Sequence, residues 1–128
     1  MEQFIKFETA KISFDKEFDL PCKKSYIKNG KIIDSHYMHL VNHMMMGDAI
    51  CTAPTQSNLQ TWLRNRKKII VLVNLLYKEK NEPYFFNIFY NDDSYFNDIR
   101  ERDSDTDYFN SYEEALEKGL QIGLLLIK

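Results

Sequence analysis

The chain has 128 residues, of which 44% are hydrophobic and 14% aromatic, and its formal net charge at pH 7 is −2. This length and apolar content are typical of one domain with a buried core, and they argue against disorder over most of the chain. The longest apolar run, residues 69–76, is far shorter than the roughly 20 residues that cross a bilayer, and residues 1–8 lack the pattern of a secretory signal. We therefore expect a cytoplasmic protein with reduced cysteines.

The first predicted element is an amphipathic helix over residues 7–17. Phe7, Ala10 and Phe14 recur there at helical spacing, with polar residues between them. Because Pro21 pushes the residue before it toward extended geometry, the helix is expected to end ahead of that proline.

A β-hairpin is predicted next, over residues 25–33 (SYIKNGKII). Its centre, Asn29-Gly30, lies between two apolar pairs and favours the positive φ angles of a tight primed turn. Residues 34–53, which contain three His and four Met, show no clear period. We interpret this segment as a loop with some helix.

A second helix is predicted over residues 54–66. Pro54 suits a first helical turn, where its missing N–H costs little, and Thr52 is able to cap the helix. The helix carries an apolar stripe formed by Leu59, Trp62 and Leu63. This stripe indicates that Trp62 belongs to the core rather than to an interface.

Two strands and an acidic segment follow. Residues 69–77 are rich in β-branched side chains and residues 83–90 in aromatic ones, so the two runs are expected to pair as an antiparallel hairpin. Residues 91–107 contain seven acidic side chains and two arginines, which gives a net charge of −5. Since they lack an apolar period, we expect an exposed loop.

The last element is a helix over residues 112–127. Ser111 and Glu114 have the spacing of a capping box. The predicted core face consists of Leu116, Leu120, Leu124 and Ile127, and a stripe of small residues beside it consists of Ala115, Gly119 and Gly123. Because glycine inside a helix costs about 1 kcal/mol relative to alanine, its presence here predicts close packing on a neighbour, the sheet.

The order helix, hairpin, helix, hairpin, helix predicts the fold class. It indicates a small single α+β domain over residues 1–128, with a mostly antiparallel four-stranded sheet and helices packed on one face. Aromatic strands leave edges that can pair with a second copy, so the sequence also leaves a homodimer open.

Three stretches in order resemble a known group of proteins. They are residues 7–11 (FETAK) with 18–22 (FDLPC), residues 53–64 (APTQSNLQTWLR), and residues 112–120 (YEEALEKGL). In this respect the chain is similar to short uncharacterised proteins encoded by bacteriophages and prophages of gut bacteria. The resemblance implies a phage accessory role, including interference with host defence, and a location in the cytoplasm of the host cell. It implies no activity, cofactor or site residue.

A histidine cluster is one candidate metal site. His36, His39 and His43 are spaced by three and four residues, so on a helix they would share one face and could ligate a metal with Asp48 or Cys51. Packing or partly exposed histidines are the simpler interpretation.

The acidic segment offers two further hypotheses. Asp103, Asp105 and Asp107 alternate like the ligands of a calcium loop, with Glu114 at the twelfth position, but Tyr108 occupies the sixth position, where glycine is needed. Alternatively, the carboxylates could imitate the phosphates of a nucleic acid on a basic host protein. A solvated loop remains the simpler interpretation.

Nucleic-acid binding is the alternative suggested by the second helix. Gln56 could contact bases, while Arg64, Arg66 and Lys68 could contact phosphates. Against this, a strand follows at once where a helix-turn-helix would need a partner helix, and the chain is acidic overall.

No catalytic motif is present in the sequence. It contains neither GxGxxG nor GKS/T, and neither Cys22 nor Cys51 has the spacing of a nucleophile with a partner histidine. We therefore expect a non-enzymatic protein without a cofactor that binds a host or phage protein. A nucleic-acid-binding module and a metal- or calcium-binding domain are the alternatives.

Overall fold

The computed structural model describes residues 3–34, 41–42, 48–76, 83–92, 95–99 and 108–127, with backbone only at 91–92 and 95–99. These residues form two compact units, residues 1–62 and residues 63–128. The elements in chain order are α1 (Phe7–Asp15), β1 (Lys24–Ile27), β2 (Ile32–Asp34), β3 (Ala49–Thr52), α2 (Gln56–Trp62), a π-helical turn (Leu63–Lys67), β4 (Ile69–Leu75), β5 (Tyr84–Asp92), β6 (Tyr95–Ile99) and α3 (Tyr112–Leu125). No helix in these ranges is long and apolar enough to cross a membrane.

The first unit contains an antiparallel sheet in the order β2-β1-β3. The predicted hairpin forms its first two strands, and Ile27 N–H donates to the Lys31 carbonyl at 3.0 Å to close a three-residue loop. Gly30 has φ +85°, whereas Asn29 is not among the residues with positive φ. The loop is therefore a turn followed by a left-handed glycine, and the primed turn predicted at Asn29-Gly30 is wrong.

Helix α1 confirms the predicted helix, but its buried side only partly matches the predicted apolar face, of which Ala10 is buried and Phe14 is not. The buried residues are Thr9, Ala10 and Ser13, whereas Phe14 is 41% exposed. The helix packs against β3, and small side chains allow this close approach. The apolar period therefore located the helix and identified Ala10 on its buried side, but not Thr9 and Ser13.

Helix α2 begins two residues later than predicted. Thr55 Oγ1 accepts from Asn58 N–H at 3.2 Å, so Thr55 supplies the cap, while Thr52 belongs to β3. The apolar stripe is confirmed, since Trp62 is 2% exposed and its two leucines are fully buried. The π-helical turn ends before Lys68, whose φ is +59°.

The second unit contains an antiparallel sheet in the order β4-β5-β6, with α3 packed on β4 and β5. The predicted hairpin is confirmed, because Ile69–Leu75 pairs in register with Tyr84–Tyr90. Ser111 Oγ accepts from Glu114 N–H at 3.1 Å, which confirms the predicted cap of α3.

The small residues of α3 pack where the sequence placed them. A Cβ added to Gly119 would lie 2.7 Å from Val71 Cγ1, and one added to Gly123 would lie 3.3 Å from Val71 Cγ2. Close packing of the glycine stripe on the sheet is therefore confirmed.

The α+β class is confirmed, but the single four-stranded sheet is wrong. Each predicted hairpin has gained a third strand, β3 beside β1 and β6 beside β5. Both lie in segments that lack a local strand pattern, and residues 95–99 form a strand where we predicted part of a 91–107 loop. Backbone pairing rather than side-chain period places these strands.

Candidate functional site

An open groove with a volume of about 380 Å³ lies in the first unit, where α1 ends. Its walls are formed by Phe14, Glu17, Phe18, Asp19 and Asn42. The groove thus combines aromatic rings, carboxylates and one amide, and its size is at the lower end of small-ligand pockets.

The wall of the groove is built by the way α1 terminates. Phe18 N–H donates to the Ser13 carbonyl at 2.9 Å, and Glu17 N–H donates to the Phe14 carbonyl at 3.1 Å. These two bonds form a Schellman motif with Glu17 at the left-handed position, φ +65°. Glycine is usual there, and a side chain at such an angle costs about 1 kcal/mol. The motif brings Phe14, Glu17 and Phe18 to one end of the helix.

The Asn42 amide ties the groove to β3. Its Nδ2 donates to the Phe18 carbonyl at 2.9 Å, and its Oδ1 accepts from Thr52 N–H at 2.8 Å and from Thr52 Oγ1 at 3.1 Å. Asn42 is 7% exposed, so these bonds form where water cannot easily replace them. The end of α1 is therefore held on the sheet by a buried polar network.

A second tie joins the groove to α2. Trp62 Nε1–H donates to Asp19 Oδ1 at 2.8 Å, and the Phe18 and Trp62 rings meet edge to face with centroids 5.2 Å apart. The indole N–H is a neutral donor, and the Asp19 carboxylate oxygen accepts from it. This bond positions the Asp19 carboxylate at the groove.

The groove carries negative charge beside an exposed ring. Glu17 is exposed, and its carboxylate takes no part in the ion pair between Lys24 and Asp34. Phe14, which is 41% exposed, lines the same groove. Anionic groups next to an aromatic face attract organic cations.

The two thiols of the first unit are buried and poorly nucleophilic at neutral pH. Cys22 and Cys51 are 5% and 1% exposed and form no disulfide. Burial raises the pKa of each thiol from 9.0 to about 11. A thiol of this pKa is almost entirely protonated at neutral pH, so neither side chain is an activated nucleophile.

The residues predicted to contact nucleic acid are not all at the surface. Arg64, Arg66 and Lys68 are exposed, on the π-helical turn and just after it. Gln56 is only 4% exposed, so its side chain is not available to a base. The basic part of this hypothesis is compatible with the structure, and its base-reading part is not.

Six of the residues predicted to hold a metal or calcium ion lie outside the described residues. This applies to His36, His39 and His43 and to Asp103, Asp105 and Asp107. In the ranges that the structure does describe, no three His, Cys, Asp or Glu side chains are grouped to hold a metal ion. Both sites remain predictions.

Sequence reasoning missed the groove. Its hydrogen bonds join Asn42 to Phe18, 24 residues apart in sequence, and Trp62 to Asp19, 43 residues apart. Nothing in the local pattern signals such pairings. The one usable signal was a helix end without glycine at residues 16–18, which carries a glutamate instead.

Comparison of the chain with protein-family models, with curated proteins and with solved structures found no match. The resemblance to phage proteins therefore stays a prediction, and the site has to be interpreted from its own geometry.

Proposed function

We propose that this chain is a non-enzymatic accessory protein of a phage or prophage, which acts in the host cytoplasm by binding another protein, a host factor. The observation that carries the proposal is the groove at the end of α1, where the exposed Phe14 ring lies beside the exposed Glu17 carboxylate. Aromatic side chains are enriched at protein interfaces because they bury a large area at a low entropic cost.

The groove suits binding because its framework is already ordered. Asn42 donates to the Phe18 carbonyl, Trp62 donates to the Asp19 carboxylate, and the Schellman bonds fix the end of α1. The chain itself therefore holds these lining residues in place before a partner binds. A preformed site loses little conformational entropy when a partner binds. The two protonated thiols also support a binding role over a cysteine-based reaction.

The test is an affinity capture from host lysate treated with nuclease, followed by mass spectrometry. We would compare the native chain with Phe14→Ala, Glu17→Gln and the matched control Glu8→Gln, an exposed glutamate in the first turn of the same helix. We expect one dominant host protein with the native chain and with the control, and its loss with both groove variants. Equal capture by all four proteins would contradict the proposal, as would recovery that requires intact nucleic acid.

A second candidate function is nucleic-acid binding by the basic turn. Residues 64–68 (RNRKK) are all exposed, and four of the five are cationic. Such a run can neutralise phosphates without reading bases. We would titrate labelled DNA and RNA at several salt concentrations with the native chain, with Arg64→Ala and Lys68→Ala, and with the control Lys118→Ala. This candidate requires affinity that falls steeply with salt and with the first two variants, and absence of binding at low salt would exclude it.

A further inference from the structure

We infer that the groove at the end of α1 receives an arginine side chain of the partner protein. This inference rests on the proposed function and assigns the chemistry of the group that binds. It follows from charge complementarity, since the groove presents carboxylates and no described lysine or arginine is among its lining residues. An occupant with a positive charge is therefore favoured over an anionic or a purely apolar one.

The carboxylates are arranged for a cation that arrives from solvent. Glu17 is exposed, and its carboxylate makes no hydrogen bond or ion pair with other described residues, so a new partner does not have to displace one. Asp19 is held in place by the Trp62 indole at 2.8 Å. The groove thus offers one adaptable anion and one fixed anion.

The aromatic wall distinguishes arginine from lysine. A guanidinium is planar, stacks on aromatic rings and forms forked hydrogen bonds with carboxylates, whereas an ammonium is a compact, strongly hydrated charge. Phe14, with 41% of its surface exposed, supplies a ring at the groove. Its burial under the arginine stem would add apolar contact to the electrostatic attraction.

Trp62 provides a specific reporter of this binding. It is the only tryptophan of the chain, and its Nε1–H is bonded to the Asp19 carboxylate. A guanidinium that contacts Asp19 will shift the indole resonance, which is resolved from the backbone amides. The probe is a capped pentapeptide, acetyl-Gly-Gly-Arg-Gly-Gly-amide, titrated into the ¹⁵N-labelled full chain. Matched peptides carry lysine, or the uncharged arginine isostere citrulline, in place of arginine.

We expect saturable shifts of the Trp62 indole and of the amides of residues 14–19 with the arginine peptide, with Kd on the order of 1 mM because one side chain supplies the contact. Binding should weaken about fivefold with the lysine peptide and in Phe14→Ala, and disappear with citrulline. It should also weaken between about 50 mM and 500 mM salt.

The variants at position 17 separate binding from folding. Glu17→Gln should weaken arginine binding at least about fivefold, and Glu8→Gln should leave it unchanged. Glu17→Gly should lose the same binding while the protein becomes more stable, because glycine suits the left-handed angle. A variant that is better folded yet binds less cannot be explained by misfolding.

Three results would overturn the inference: no saturable shift with arginine, equal binding of citrulline, or equal binding of lysine. The outcome is distinct from that of the capture experiment. A host protein that requires the groove, without arginine binding, would overturn the arginine assignment alone. Arginine binding without any captured host protein would count against the proposed function and leave the chemistry of the groove standing.

Discussion

The interior of the first unit contains polar side chains of a kind that the interior of the second unit largely lacks. Among the described residues, seven buried polar residues lie in the first unit: Thr9, Ser13, Ser25, Asn42, Thr52, Thr55 and Gln56. In the second unit the corresponding set is Glu117 alone. Buried apolar side chains are present in both units, but the first also depends on buried hydrogen bonds such as those of Asn42, whereas the second depends mainly on the shapes of apolar side chains. Each should therefore fail under a different kind of substitution.

The largest effect is expected from a cavity in the second unit. Leu120 is fully buried on α3, so Leu120→Ala should lower the free energy of unfolding by about 3 kcal/mol. Urea denaturation measures this change, with hydrogen exchange of residues 63–127 locating it. Leu125→Ala, on the same helix and 62% exposed, serves as the control and should cost less than about 1 kcal/mol. Similar losses for both would contradict the packing described for α3.

The corresponding test of the first unit removes hydrogen bonds and keeps volume. Asn42→Leu should cost about 2 kcal/mol, because Thr52 N–H and the Phe18 carbonyl would stay buried without their partner. In this variant, hydrogen exchange at the Thr52 amide should become faster to a greater extent than exchange in α3. The exposed Asn58→Leu is the matched substitution, with an expected change below about 0.5 kcal/mol. An unchanged stability of Asn42→Leu would show that the polar network does not hold this unit.

A pair of glycines tests how tightly the second unit is packed. Gly119→Ala should destabilise by about 1 kcal/mol, because its Cβ would lie 2.7 Å from Val71 Cγ1 and force the sheet to shift. At Gly123 the nearest atom is 3.3 Å away, and the better helix propensity of alanine offsets the contact. We therefore expect Gly123→Ala to be neutral or slightly stabilising in thermal melting. A larger loss of stability for Gly123→Ala than for Gly119→Ala would contradict the packing of these two glycines on Val71.

Among the described residues, each unit contains one non-glycine residue with a left-handed angle, Glu17 at φ +65° and Lys68 at φ +59°. Glycine at either position should raise the free energy of unfolding by about 1 kcal/mol or less. It relieves backbone strain in the folded state, but it also increases the conformational entropy of the unfolded chain, which offsets part of the gain. Alanine at the same positions keeps the strain and should give no gain. If alanine and glycine behaved alike, the gain would come from the removed side chain and not from the backbone.

The smallest effect at neutral pH is expected for the thiols, whose pH dependence of stability distinguishes the first unit from the second. Both thiols lie in the first unit, and burial raises their folded pKa to about 11, above the ordinary value of 9.0. Their contribution to stability is therefore complete below pH 9 and is lost as the pH rises through 11. A double Cys22→Ala, Cys51→Ala variant should lose less stability than the native chain over that range. Labelling of the native thiols at pH 8 should be about 100-fold slower than in urea, and rapid labelling would contradict their burial.

Sequence reasoning succeeded where the determining interactions are local. The cap of α3 joins residues three apart, the hairpin of β4 and β5 follows from two apolar runs, and the glycine stripe repeats every four residues. It failed where a segment is placed by a distant neighbour. Strand β3 pairs with β1 across more than 20 residues, and its own side chains carry no alternating pattern.

The sequence by itself determined the α+β class, the helix of residues 112–125 and both hairpins, because turn chemistry, capping and apolar period act within a few residues. Only the tertiary structure decided that there are two three-stranded sheets, that α1 buries Thr9 and Ser13, and that Gln56 is inside. It also decided the groove, whose amide and indole come from residues 42 and 62 to the end of α1. Such contacts form between distant segments, and the free energy that selects them depends on the whole packed interior.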